Sequence, residues 1–496
     1  CLPSVAAESS SEPVLLEEII VTAQKRAQSL RDVPISISAL GAEELEQRRV
    51  NGVEDFIRSV PNANFVNSGA YWGQSVTFRG ISNFSGGNYD VIAVTVDDVG
   101  YGATSTGAIL SSRLNDVERI EVLRGPQGTL SGRNSLGGSI NIITRKPDLS
   151  KLDGEATLDI SRFETVLGKA AINVPLSPQA AVRVSGFYEH SGGAIKNIGP
   201  AGGDSGYDNA GGRAAVRLQP NERLTIDAAV GYENLRRDME DWITHDFTSS
   251  ALYTYMTSTL QSWGGAYPGP VDYFPNVGNN GGKVSKDTDE YTRIEDWTAS
   301  LRASYELDSY VLDLIYGHFD YDLSYVEDYD QTEYAWWNAD RTRQTRTDSI
   351  ELRATSSYDG PINWVAGVSY MRETLENAGG DNIGLWAVNG GNPVVGGTTK
   401  PAYLFYASNR IESVGLFANA FWDIRDWLHL SAGTRYSVER NRIGDNFVFD
   451  IADMNLTLPA LADSDYRRSK ISRFSPRLAL NMDLDDTVTS YLQYST

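Results

Sequence analysis

The chain has 496 residues with 43 Lys+Arg against 65 Asp+Glu, a net charge of −22. A pI near 4.6 excludes the basic face a nucleic-acid binder needs, and a single cysteine excludes a disulfide-stapled scaffold. Mean hydropathy is −0.33 and no uninterrupted apolar run of about 18 residues occurs, which excludes helical membrane spans but not a transmembrane barrel, whose strands alternate polar and apolar residues. The 26 Tyr and 46 Gly fit a β protein with long polar loops; a secreted β-solenoid has a similar profile.

Residues 1–7, CLPSVAA, read as the remnant of a secretory signal peptide whose small-residue end is Val5-Ala6-Ala7. Cys1 is either part of that remnant or a lipidated cysteine, and both imply export. Residues 8–29 form a segment expected to have no packing partner of its own. From residue 30 to about Asp148 the periods are mixed. A helical segment follows Ser38 and runs through Arg49, and a second covers Val53–Ser59. Short β-like runs follow at Ser75–Phe78, Ala93–Val96, Ile120–Leu123 and Ser139–Thr144. The expectation is a small α/β domain over 30–148.

After Gly154 the period becomes two. In Trp297–Tyr305, the residues Trp297, Ala299, Leu301, Ala303 and Tyr305 share one face, and Thr298, Ser300, Arg302 and Ser304 the other. About 13 such segments have the ~9–11 residue length of a tilted membrane strand. Short turns at Pro175–Gln179, Gln219–Arg223, Glu306–Ser309, Ser356–Ile362, Asp423–Asp426 and Asp483–Asp486 alternate with long polar stretches, among them Glu233–Asp296, Asp320–Asp348 and Met371–Glu412. Short turns on one rim and long loops on the other mark an outer-membrane barrel, and terminal aromatics such as Trp297, Tyr305, Trp364, Tyr370 and Trp422 mark its interfacial girdles. A soluble sandwich rarely needs so many long hairpins in series. The expected fold is a transmembrane antiparallel β-barrel over 149–496 with an N-terminal α/β domain.

Asp116–Pro147, DVERIEVLRGPQGTLSGRNSLGGSINIITRKP, resembles the end of the plug domain of TonB-dependent outer-membrane receptors. Asp32–Leu40, Phe56–Asn62, Phe78–Ser82 and Val94–Gly100 fall where that family places plug segments, and Ser349–Thr355, Trp364–Tyr370 and Phe474–Asn481 are similar to its barrel segments. Ser131 stands where the family often has Tyr, and Leu136 where it has a small or polar residue. The resemblance implies a plug inside a 22-stranded barrel. A plug of ~130 residues is roughly 36 Å wide, whereas a 13-strand ring has a backbone radius of about 13 Å. The chain, ending at Tyr494-Ser495-Thr496, is therefore expected to be C-terminally truncated.

By resemblance, Glu18, Ile19, Ile20, Val21, Thr22 and Ala23 are a TonB box, the strip that the partner TonB, driven by the inner-membrane energy-coupling complex, captures; a β-branched run is suited to strand addition. Arg79, Gly80, Arg124, Gly125, Pro126, Gly128, Gly132, Arg133, Asn134, Gly137 and Gly138 are expected to be structural plug residues, with the glycines setting tight turns. The run lacks Gly-Lys-Ser/Thr, so a phosphate-binding loop is a poor reading. Arg79 or Arg124 paired with an inward Glu351 is the expected plug–barrel latch. Tyr253, Trp263, Tyr267, Tyr329, Trp336 and Trp337 are expected to carry ligand recognition, because aromatic faces stack on sugars and aromatic chelators. His190, His245, His318 and His429 are isolated, and no nucleophile elbow occurs, so no metal centre, cofactor or catalytic residue is expected. The expected function is energised uptake of a scarce solute across the outer membrane, with a ferric siderophore favoured over cobalamin or oligosaccharide. The partners are TonB, the lipid bilayer and an extracellular solute. Rival classes are a passive porin and a surface-binding protein.

Overall fold

A computed structural model describes residues 20–22, 24–30, 33–67, 74–82, 91–100, 114–239, 282–329, 331, 335, 337–384, 399–449, 461–462, 465–485 and 488–495. The N-terminal region folds around one mixed sheet in the order Ser36–Gly41, Val117–Arg124, Gly138–Thr144, Ile92–Val96, Val99–Gly100. Gly138–Thr144 pairs parallel with Ile92–Val96 and antiparallel with Val117–Arg124. Helices Ala42–Gln47 and Val53–Ile57 cover this sheet. Leu45, Val53, Phe56 and Ile57 from the helices meet Ile92, Val94, Ile120, Val122, Ile140 and Ile142 from the strands in one buried core. Glu43 and Glu44 in the first turn of the first helix complement its dipole. The side chain of Asp55 accepts the backbone N–H groups of Asn51 and Gly52 at the start of the second.

The region after Pro147 is one 13-stranded antiparallel sheet in strict chain order, from Asp153–Ser161 to Thr489–Ser495. Among the described residues its two edge strands are not paired to each other. Outward residues are apolar and exposed: Val230, Leu314, Leu352, Val368, Leu416 and Leu478 lie in a belt. Trp297 and Tyr305, eight residues apart on one outward face, bound that belt; at ~3.3 Å per residue and ~40° tilt this is about 20 Å, close to the apolar height of an outer-membrane barrel. Tyr232 packs against Trp297 with tilted rings, 4.6 Å between centroids. The inward face is polar and buried, with Arg183, Asp313, Arg353, Asn419, Arg435 and Arg477 all under one-tenth exposed.

Of the polar stretches read as long loops, Asp320–Asp348 and Met371–Glu412 are largely strand among their described residues. Tyr310–Asp328, Trp337–Ser356, Ile362–Gly384, Thr399–Arg425 and Leu428–Phe449 run for 19 to 27 residues. About ten of these cross the lipid. The rest rise above it, where both faces meet water or polar neighbours, and the apolar alternation that signals a membrane strand disappears although pairing continues.

Candidate functional site: the seam between plug and wall

The N-terminal domain lies against the inward face of the sheet. Gly317 is an inward position between lipid-facing Tyr316 and half-buried His318. A Cβ built on it would meet Val99 Cγ1 at 2.0 Å, so only glycine admits this approach. Leu130 packs into the wall residues Val365, Phe417 and Phe421, and the Thr129 hydroxyl donates to the Ser475 carbonyl.

Ion pairs cross the seam at several places among the described residues. Asp97 and Asp98 form the turn after Ile92–Val96, with φ of 53° and 69°; aspartate tolerates this left-handed geometry better than most residues. Asp98 reaches Arg353 at 2.7 Å and Arg302 at 3.3 Å. Burial alone would raise its carboxyl, but Arg353, Arg302 and Lys25 outweigh burial and hold it well below the usual carboxylate range. Asp97 contacts Lys146 at 2.6 Å and Arg213 of the wall at 3.4 Å, and its carboxyl is likewise lowered against the pull of burial. Asp116 accepts a bidentate pair from Arg183 at 2.5–2.9 Å. Arg133 meets Glu439 at 2.7 Å.

A further crossing corrects the expected latch. Glu351 does face inward, but its partner is Lys25, at 2.6 Å, with Arg353 at 3.4 Å. Arg79 is exposed at a positive φ of 51° and makes no ion pair among the described residues. Arg124 donates to the carbonyl of Pro61 inside the N-terminal domain. Arg79 Nη1 lies against Gly125, and neither arginine pairs with Glu351 among the described residues.

Lys25 belongs to the segment expected to be without partners, and that expectation is also corrected. Ile20–Val21 pairs antiparallel with Gln28–Ser29. Val21 is fully buried with Val33, Ile35 and Leu123, while Ile20 is exposed. The Thr22 N–H donates to Glu121 Oε1 at 2.8 Å, and its hydroxyl contacts the same oxygen at 3.2 Å. Arg119 steadies Glu121 at 2.9 Å. Lys25 Nζ also stands 4.8 Å over the Phe417 ring and Arg26 5.5 Å over Phe421; burial lowers the Lys25 pKa, with Glu351 opposing. Glu18, Ile19 and Ala23 lie outside the described residues.

Gly125, Pro126, Gly128, Gly132, Asn134 and Gly137 build one compact loop. Its ends are tied by Gly125 N–H to the Gly137 carbonyl and Gln127 N–H to the Ser135 carbonyl, both at 2.8 Å. At Gly138 (φ +150°) a Cβ would lie 2.2 Å from the Leu123 carbonyl, so the strand Gly138–Thr144 can start there only without a side chain. Gly80 takes a left-handed turn at φ +82° after Arg79. On the long-loop side, Tyr329 and Trp337 meet edge to face at 5.3 Å. Arg341 lies 5.1 Å over Phe405 and 5.9 Å over Tyr329, and pairs with Asp381. Tyr253, Trp263, Tyr267 and Trp336 lie outside the described residues. Sequence reasoning missed Asp98, Asp116, Glu121 and Glu439; the repeated Asp in VDDVG was the visible signal for the first.

A model of the TonB-dependent receptor plug domain matches residues 29–139, and a model of the TonB-dependent receptor-like β-barrel matches 234–496. The pesticin receptor of Yersinia pestis is 26% identical over 251 residues, 47% of this chain and 37% of that protein. An iron-regulated outer membrane virulence protein of Vibrio cholerae is 29% identical over 235 residues, 44% and 34% respectively. The ferric yersiniabactin uptake receptor of Yersinia pestis superposes with a TM-score of 0.74 at 21% identity, over 93% of this chain and 64% of that one. The ferripyoverdine receptor of Pseudomonas aeruginosa gives 0.70 at 17%, over 96% and 58%. The chain thus spans between about a third and two thirds of the length of these relatives. With the plug model over its N-terminal domain and the barrel model over more than half its length, the chain belongs to the TonB-dependent receptors, the plugged β-barrels of the Gram-negative outer membrane.

Proposed function

We propose that this protein takes up an iron chelate across the outer membrane by TonB-driven displacement of its plug. The observation that carries the reading is the docked N-terminal strip. Ile20–Val21 already lies as a strand, tied on one side to Gln28–Ser29, and its continuation is held by Glu121 and Glu351. A strip so held is suited to recapture by the sheet edge of a partner, where backbone hydrogen bonds supply the affinity. Tension on it would act first on the packing of Val21 against Leu123 and on the Thr22–Glu121 contact, then on Lys25. The names of the relatives favour an iron chelate as solute. Cobalamin or an oligosaccharide is the runner-up, since a vitamin B12 transporter of Photobacterium profundum is 23% identical over 358 residues.

Cells carrying the protein should accumulate a radiolabelled ferric chelate only while the inner membrane is energised, and Ile20→Pro should stop accumulation while surface binding persists. Proline removes a backbone donor and restricts φ in the strip. Uptake that continues after the proton gradient collapses would assign the protein to the porins instead.

A further inference from the structure

A cavity of about 490 Å³ lies in the seam, between the N-terminal strip, the plug turn Asp97–Asp98 and the inward faces of the strands Tyr207–Asn221, Leu224–Arg237 and Tyr291–Glu306. That is within the ~300–1,000 Å³ of small-molecule sites. Thr225, Ser304 and Glu306 place one end of it beside the short-turn rim. Its described lining holds eight cations against four acids, Asp97, Asp98, Asp227 and Glu306, in a chain where acids outnumber cations by 65 to 43. Two of the cations come from the strip, two from the plug and four from the wall.

These cations are held from behind. Glu121 backs Arg119 at 2.9 Å, Glu351 backs Lys25 at 2.6 Å and Asp313 backs Arg302 at 3.0 Å, and all three acids lie outside the lining. Within the lining each aspartate of the turn is shared by two cations: Asp97 by Lys146 and Arg213, Asp98 by Arg302 and Arg353. Asp227 fixes Arg217 at 2.7 and 2.9 Å. The contacts of Arg213 are long, 3.4 Å both to Asp97 and to the carbonyl of Arg145. A guanidinium carries five N–H donors, so Arg213, Arg217 and Arg302 keep donors for a further acceptor. A cleft lined by one sign of charge between low-dielectric walls concentrates its field on a bound counter-ion.

We infer that Lys146, Arg213, Arg217 and Arg302 form a binding site for a small polyanion, held through its carboxylate oxygens. Arginine matches carboxylate geometry with paired donors, and cations already fixed by the acids around them are ordered before the anion arrives. The biological sense of the site rests on the uptake reading. It lies between the plug turn and the short-turn rim, so a solute released past the plug meets it, and a polyanionic chelate is held there in preference to a neutral or cationic one.

The test uses the full-length protein in neutral detergent, titrated calorimetrically with citrate at fixed ionic strength. Citrate should bind, and triethyl citrate, the same skeleton without the charges, should not. A charge-assisted hydrogen bond is worth roughly tenfold in affinity, so R213Q/R302Q should weaken citrate about a hundredfold. Every acid in the variant keeps a cation, because Asp97 retains Lys146, and Asp98 and Asp313 retain Arg353. The control R223Q, at an exposed pair with Asp308, should stay within about twofold. Citrate at about ten times its dissociation constant should slow acetylation of Lys146 about tenfold and leave exposed Lys151 unchanged. Absence of citrate binding, equal binding of the triester, undiminished binding by the double variant, or an unprotected Lys146 would overturn the proposal. If the double variant fails to fold, the wild-type protein decides through Lys146. The titration needs no transport, so its failure would leave the uptake reading standing, and failed uptake with intact citrate binding would overturn that reading alone.

Discussion

Replacing Asp98 by alanine removes the carboxylate that Arg353 and Arg302 share. Arg353 is 1% exposed and cannot recruit water in its place. It keeps Glu351 at 3.4 Å and Asp313 at 3.6 Å, so the loss is smaller than for a charge left wholly alone. Breaking a buried pair from one side costs ~3–5 kcal/mol; with two carboxylates remaining and Asp98 itself 27% exposed, about 2–3 kcal/mol is expected. The loss should fall on the plug and not on the wall. Amide hydrogen exchange separates the two: the amides of Ile92–Val96 should exchange about 30- to 150-fold faster in the variant, since 1.4 kcal/mol is a tenfold change, while those of Leu428–Phe449 stay unchanged. Asp98→Asn should recover only part of the protection, because the amide keeps a hydrogen-bond acceptor but no charge. Exchange within about twofold of wild type in the alanine variant would refute the view that this pair holds the plug turn.

Lys25→Ala should free the N-terminal strip without unfolding the plug, because Glu351 retains Arg353; a spin label at residue 20 should become mobile, and an unchanged spectrum would rule the clamp out. Gly317→Val should lower the yield of folded protein through its clash with Val99, an overpacking cost of typically 1–3 kcal/mol, with Val99→Ala restoring the yield. The Asp98 carboxyl is depressed in the folded protein, so its contribution is present above the unfolded value near 4 and is lost as pH falls below it. Protection of Ile92–Val96 through this pair should be flat from pH 8 to about 5 and decline only below about 4. A decline that begins at neutral pH would point to a different group.

Much of this architecture could be read from residue order. Period-two runs located the strands of the wall because lipid on one side and plug on the other impose opposite chemistries on alternate residues. The stretch Arg124–Gly138 betrayed the plug because its backbone approaches, such as Gly138 against the Leu123 carbonyl, leave no freedom of residue type. The latch partners were not legible. Glu351 could be placed facing inward from Ile350 and Leu352 alone, but its partner depends on how two regions 326 residues apart meet, and nothing local to Arg79, Arg124 or Lys25 ranks them. The strand extensions beyond the membrane were hidden for a related reason: pairing is a backbone property, and above the lipid no solvent boundary writes it into side chains.

The idea that solute entry requires the plug to leave the wall is open to a direct measurement. Val99 Cβ lies 2.9 Å from a Cβ built on Gly317, about 1 Å short of a relaxed disulfide, so with Val99 itself replaced a Val99→Cys, Gly317→Cys pair can close across the seam once the plug turn shifts outward by that distance. With the bond closed, cells should still bind a ferric chelate but cease to accumulate it, and reductant should restore accumulation. Undiminished uptake through the locked protein would contradict the account.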